Sequence, residues 1–323
     1  MKICLISYDF WNYDGYIVDA LKKKSIDAYH IKMYTWQYPN RKARVRNMLS
    51  KTFLKKNLKT KWRQMMVLEK LEEIGKQDQI LIINPEYIEL EFHTRISKYT
   101  DRYVAFLYDS LARNPAKHTF HFFDKIFTFD YNDATETPKL EHINNYIYWE
   151  HLPAEQQKSK VSLTFVASAD KERDRLMSKL IANLIHNDIS YFFHIVGKSN
   201  HLKKKFINTK SPNGKVINAK KSISHQELKS IYSRSVAILD IVREQQTGLS
   251  FRFFEAMALE KKVITNNHNV KNYEFYNPNN IMILDQDMTF KDNDFFNSPY
   301  EKLPKEIYEQ YTISHWVEKV FNL

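Results

Sequence analysis

The stretch SVAILDIVREQQTGLSFRFFEAMALEKKVITNN, residues 235–267, decides the fold. It opens with a β-branched run (235–242) and a polar loop holding one glycine (243–250). A helical pattern (251–262) and a second short apolar run (263–267) follow, and together they predict one parallel β-α-β unit. Gly248 lets the backbone turn sharply as the strand ends. Ser250 then falls near the helix start, where unpaired N–H groups and the positive end of the helix dipole favour an anion such as phosphate. One turn on, Arg252 and Glu255 share a helical face opposite Phe253, Phe254, Met257 and Ala258. That spacing fits an i,i+3 ion pair on a solvated face. It also fits Arg252 approaching phosphates while Glu255 accepts hydrogen bonds from a ribose diol, and the position beyond a strand's carboxyl end favours this second reading.

Outward from this unit, strands and helices alternate along the chain. Residues 2–8, 27–33, 79–84, 103–108 and 126–129 read as strands, with a helix over 16–24. The continuous apolar run QILIIN (79–84) suits a parallel sheet covered on both faces. Asp109 follows the strand YVAFLY and has two readings, a general base facing the ligand crevice or a helix cap. The polar, proline-containing HLPAEQQKSK (151–160) marks a domain junction. A second α/β series begins there, with strands at 162–166, 191–196, 216–217 and 280–284 and helices at 171–186, 224–233 and 313–321. The expected division is an N-terminal domain over 1–155 and a C-terminal one over 156–305, with a helix in 306–323 returning to the first.

Composition narrows the function. A hydrophobic content of 43% in 323 residues describes a folded two-domain protein. A single cysteine, Cys4, excludes an internal disulfide and suits the cytosol. No stretch is long and apolar enough to span a bilayer, so membrane association is expected to be peripheral, on the inner face. The net charge of +11 points to polyanionic partners. Arg41, Lys42, Arg44, Arg46, Lys55, Lys56, Lys59 and Lys61 gather with Trp62 in a segment, 28–68, that lacks any acidic residue. These residues form either a solvated helix face or an interfacial helix that meets anionic lipid or a phosphorylated acceptor, with Met48, Phe53, Leu54, Leu58 and Trp62 dipping into the headgroup layer.

GLSFRFFEAMALEKKVITNN resembles the nucleotide-sugar segment of GT-B glycosyltransferases, in particular bacterial capsular and lipopolysaccharide biosynthesis transferases of the CgeB-like group. YVAFLYDSLARNP (103–115), FDKIFTFDYNDA (123–134), FHIVGK (193–198) and NVKNYEFYNPNNIMILD (269–285) recur in the family's order. The resemblance implies two Rossmann-like domains facing each other across a cleft. It implies a nucleotide-diphosphate sugar as co-substrate, held by Lys198, Thr247, Gly248, Ser250, Arg252 and Glu255, and a glycan or lipid-linked glycan acceptor. Lys198 is otherwise a surface lysine beside Lys203, Lys204 and Lys205. Many retaining GT-B enzymes carry a glutamate where this chain has Thr247, which leaves the stereochemical outcome open. Asp285 with Asp287, and Asp292 with Asp294, have a metal-binding spacing but follow the last strand and read as turns, so no metal cofactor is expected. Epimerase or phosphorylase chemistry on the same scaffold is the first rival. A basic nucleic-acid-binding protein is the second, opposed by the clustered donor residues.

Overall fold

The computed structural model describes residues 1–152, 160–197, 213–290 and 294–323. The chain divides into two compact units, Met1–Asn144 with Ile313–Leu323, and Asn145–Thr312.

The first unit is built on β1 (Lys2–Ser7), α1 (Asp14–Lys23), β2 (Asp27–Lys32), α2 (Arg41–Phe53), α3 (Leu58–Ile74), β3 (Gln77–Ile83), α4 (Leu90–Ile96), β4 (Thr100–Leu107), β5 (Lys125–Thr128), α5 (Tyr131–Glu136) and β6 (Leu140–His142). Its sheet runs β2-β1-β3-β4-β5-β6, parallel throughout. Ile3, Cys4, Leu5 and Ile6 are all fully buried, as a strand covered on both faces requires. Sequence order reverses between β1 and β3, so the loops beyond those two strands diverge and leave a crevice.

The second unit contains β7 (Val161–Ser168), α6 (Lys171–His186), β8 (Tyr191–Val196), β9 (Gly214–Ala219), α7 (His225–Ser233), β10 (Ser235–Asp240), α8 (Phe251–Ala258), β11 (Lys262–Thr265), β12 (Ile281–Ile283) and α9 (Lys305–Glu309). The strand order β12-β11-β10-β7-β8-β9, again all parallel, is that of a dinucleotide-binding Rossmann sheet, with its switch point between β7 and β10. Local chemistry starts three of these helices: Asp170 caps α6, Ser224 and Glu227 form a capping box on α7, and Ser250 caps α8. Gly197, just past β8, holds φ at 109° with its position for a Cβ against Ala169, a conformation that favours glycine.

The last helix, α10 (Ile313–Phe321), belongs to the first unit. Trp316 packs edge-on against Phe106 of β4 at 5.2 Å, while Arg102 and Gln79 donate to the carbonyls of Val320 and Phe321.

Three boundaries depart from the reading of the sequence. The first unit ends at Asn144 rather than at 155, because Ile147 bonds the Tyr311 carbonyl and sits fully buried in the core of the second. For the same reason α9 stays with the second unit, and only Ile313 onward returns. The helix expected over 251–262 stops at Ala258, since Glu260 takes φ 50° and Lys262 already pairs in β11, its buried ammonium held by the Phe295 carbonyl and Ser298 hydroxyl.

Removing the indole that anchors α10 tests the first unit. Trp316→Ala is expected to destabilise it by about 3–5 kcal/mol, the usual cost of deleting a buried large aromatic side chain, read as a lowered chemical-denaturation midpoint.

Candidate functional site

At the switch point of the second sheet, charged side chains converge from three elements. Asp240 ends β10 with its side chain fully buried. Its Oδ1 accepts from the Ser250 hydroxyl at 2.7 Å and from Arg252 Nε at 2.9 Å. Arg252 lies over the Phe165 ring at 5.4 Å. Burial opposes its charge, but Asp240, Tyr232 and Glu255 outweigh that and hold its pKa above the ordinary arginine value. Arg243 donates through Nε and Nη2 to Asp170 Oδ2, at 3.0 and 2.7 Å. Burial pushes the Asp170 carboxyl up, but Arg243 and the helix N–H groups prevail and keep it low. Arg173 donates to the Ser168 carbonyl and hydroxyl at 3.0 and 3.1 Å. Desolvation, together with Arg252 and Arg243, lowers the Arg173 pKa to about 10 despite Asp170 and Asp240. Cationic repulsion therefore remains at this edge, and an anion would relieve it. Arg173 Nε and Asp240 Oδ2 are buried, and neither has a hydrogen-bond partner among the described residues.

Asn266 clamps the exit of β10 through both the N–H and the carbonyl of Val242. The Thr247 carbonyl accepts from Asn267 and the Gly248 carbonyl from Gln246, which fixes the loop leading to Ser250. Glu255 is only 2% exposed, and its Oε1 accepts from the Tyr148 hydroxyl at 2.6 Å. The solvated Arg252–Glu255 face is thereby overturned: Asp240 bonds the arginine and Tyr148 the glutamate. Lys198 lies outside the described residues, as do Asp292 and Lys203 to Lys205. Asp285 Oδ1 accepts from the N–H groups of Asp287 and Thr289, the geometry of a turn. Among the described residues, no group of three or more acidic, histidine or cysteine side chains is placed to hold a metal.

The sequence reading missed Asp170, Arg173, Asp240 and Arg243. Asp240 was read as part of a strand, and Arg173 as part of a helix. The available signal was their place at the ends of β7 and β10, which acquires meaning only once these two strands are known to be neighbours.

The carboxyl edge of the first sheet carries acids instead. Asp109 meets Arg113 at 3.1 Å and shares Asn114 Nδ2 with Glu86, at 3.2 and 3.0 Å. No helix begins after it, so the cap reading fails. Glu86 lines a pocket of about 520 Å³ with Tyr8, Thr60, Tyr87 and His118. Burial, with a contribution from the charge on Asp109, pushes Glu86 up to about 7. Nearby, Asp9 accepts from Lys32 at 2.7 Å and from the Asp14 N–H at 3.1 Å. Burial and Asp9 raise the Asp14 carboxyl to about 7, against hydrogen bonds from Ser7 and Tyr108.

The basic segment forms two helices, broken where Lys55 takes φ 53°. Arg41, Lys42, Arg44 and Arg46 are exposed on α2, and Lys55 and Lys56 in the break. Lys61 is exposed on α3, while Lys59 sits over the Tyr38 ring. Trp62 does not face outward with them: it stacks on Trp36 at 5.7 Å and meets Tyr38 edge-on, half-buried.

No protein-family model matches the sequence, and no curated protein does. Among solved structures, the chain is similar over its full length to the lipopolysaccharide outer core galactosyltransferase WaaB in its apo form, with TM-score 0.55, 11% identity and 99% of that chain covered. T4 phage BGT in complex with UDP and Mn2+ gives 0.54 and 11%, with 100% of both chains covered. The UDP-GlcNAc 2-epimerase from Neisseria meningitidis bound to UDP-GlcNAc gives 0.55 and 11%, covering 100% of this chain and 99% of that one. The fold is GT-B, an α/β architecture of two Rossmann-like domains.

Asp14 supplies a test of the first unit's acidic edge. Its folded-state pKa lies above the unfolded value, so the folded state binds the extra proton and stability falls as pH rises from about 4 to about 7. Asp14→Asn removes this dependence. Relative to wild type, the variant is expected to gain on the order of a few kcal/mol across that window, measured by urea unfolding at each pH.

Proposed function

We propose that the protein is a glycosyltransferase that moves a sugar from a nucleotide-diphosphate donor onto a growing surface polysaccharide or lipid-linked glycan. On this reading it belongs with the CgeB-like transferases of capsule and lipopolysaccharide biosynthesis and works peripherally at the inner face of the cell membrane. The observation that carries the proposal is the guanidinium cluster at the β7/β10 switch point, where the buried Nε of Arg173 has no hydrogen-bond partner among the described residues. A diphosphate supplies the oxygen that Arg173 Nε lacks and adds an anion for Arg243 and Arg252, beside the N-terminus of α8. Thr247, Gly248 and Ser250 form the loop that follows its contour, and Lys198 adds a point charge. Glu255 receives the ribose diol, sharing its carboxylate with Tyr148.

As the glycosidic bond to the diphosphate breaks, negative charge grows on the leaving oxygens, and prepositioned guanidiniums stabilise it without reorganising. They take the place of a divalent cation. UDP is expected to raise the melting temperature of the wild type in excess chelator, and Arg173→Ala to weaken UDP binding by about 1.5–3 kcal/mol, the scale of a charge-assisted hydrogen bond. No stabilisation by UDP or another nucleoside diphosphate rejects the donor reading, and stabilisation only with added Mn2+ rejects the metal-free one. Conversion of the donor to its epimer with the sugar still joined to the nucleotide, in the absence of any glycan acceptor, would mark an epimerase instead.

Asp109, a candidate base from the sequence, is held as a partner of Arg113, whereas Glu86 beside it has the affinity for a proton that general-base chemistry at neutral pH needs. The base must be ionised, so nucleotide release from UDP-glucose or UDP-galactose with water as acceptor is expected to rise with pH through about 7. Glu86→Gln should cut the rate by about 10²–10⁴ and flatten that rise. An unchanged profile returns the role to Asp109.

A further inference from the structure

Helix α2 is amphipathic in the inverted sense. The side chains it buries are polar, Asn47 and Ser50. Asn47 donates to the Tyr38 hydroxyl at 2.7 Å and accepts from the Lys59 N–H at 3.0 Å, while the Ser50 hydroxyl donates to the Lys56 carbonyl at 3.0 Å. These bonds fix which way the helix faces. Its apolar side chains, Val45, Met48, Leu49 and Phe53, are exposed together with Leu54 beyond its end, Phe53 at 76% and Leu54 at 66%. Val45, Leu49, Phe53 and Leu54 line an open groove of about 810 Å³ whose other walls include Arg41, Lys42, Arg46 and Lys56. A helix that turns its amides inward and its leucines outward lacks the usual reason to be stable in water alone, and an apolar patch of this kind marks an interaction surface.

We infer that α2 lies in the plane of an anionic lipid leaflet, with Val45, Met48, Leu49, Phe53 and Leu54 among the acyl chains and the surrounding lysines and arginines at the phosphates. Charge selects this occupant. No acidic residue stands anywhere in 28–68, so a second copy packed on the same face by a two-fold axis would set Arg41, Lys42, Arg46 and Lys56 against themselves. A phosphate-bearing surface neutralises all of them at once. At about 1.5 Å per residue, this helix of 13 residues is about 20 Å long, too short to span a bilayer and suited to its interface. Trp62, turned inward against Trp36, takes no part. The inference deepens the peripheral-membrane part of the proposed function but is independent of donor chemistry, which the UDP measurement reads separately.

The test is co-sedimentation of the whole protein with phosphatidylcholine vesicles, with and without phosphatidylglycerol, at low and high salt. Wild type is expected to bind the anionic vesicles at least about tenfold more tightly than the neutral ones, and less tightly as salt rises. The double variant Phe53→Ser, Leu54→Ser is expected to lose at least about tenfold in affinity for anionic vesicles, because two large apolar side chains no longer leave water. Its far-ultraviolet circular dichroism and its stabilisation by UDP should remain those of wild type. Equal binding by the double variant would overturn insertion in favour of a purely electrostatic contact. A wild-type dimer in sedimentation equilibrium that the double variant converts to monomer, with no lipid binding by either, would overturn it in favour of a second copy.

Discussion

The buried carboxylate of Asp240 is the constraint on which the second unit depends. In an all-parallel sheet covered on both faces, the interior of β10 must be apolar, and Ala237, Ile238 and Leu239 are fully buried. A charge enters only at the strand's end. There Asp240 can be kept only if cations and hydroxyls meet it, since an uncompensated buried charge costs several kcal/mol. Ser250 and Arg252 answer that need, and in doing so they fix the entry of α8. The same bond immobilises the guanidinium over Phe165, with its remaining N–H groups available to other partners. One carboxylate thus shapes the loop, starts the helix and presents the cation.

How much of this was legible in the sequence follows from what each signal depends on. The strand and helix patterns of 235–267 are local, because runs of β-branched residues and a 3.6-residue period report burial without knowledge of partners. The β-α-β unit and the α/β class could therefore be read directly. The resemblance to GT-B segments added that two such series form two domains. Arg173 could not be tied to Asp240 and Arg243 from the sequence, because about seventy residues of chain separate it from them and they meet only through the pairing of β7 with β10. Tyr148 illustrates the same limit from the other side. It falls before the polar stretch that looks like a linker, yet Ile147 and its neighbours are the first residues of the second core. A composition break locates where chain is exposed, not where a core ends.

Helix α2 shows why charge patterning alone was ambiguous. From the sequence, its cations suit a solvated face as well as a lipid surface, with the interleaved apolar residues dipping into the headgroup layer in the second case. The hydrogen bonds of Asn47 and Ser50 decide the orientation, and they depend on Tyr38 and on the break at Lys55 that turns α3 back along α2. Trp62 went the other way because an aromatic neighbour, Trp36, was already on the adjoining surface. Periodicity identifies a face but does not say which side of the protein it turns to.

Each sheet ends in a different chemistry. Beyond β7 and β10 stand arginines in cationic excess, with one buried guanidinium already shifted toward deprotonation by its neighbours. Such an edge favours an anion. Beyond β1, β3 and β4 stand Asp9, Asp14, Glu86 and Asp109, with Asp14 and Glu86 raised toward neutrality by burial and by adjacent carboxylates. Carboxyl groups in that state bind a proton at neutral pH and can also release it. A parallel sheet places such groups at its carboxyl edge, on strand ends, loops and the first turns of helices, since its interior admits none of them.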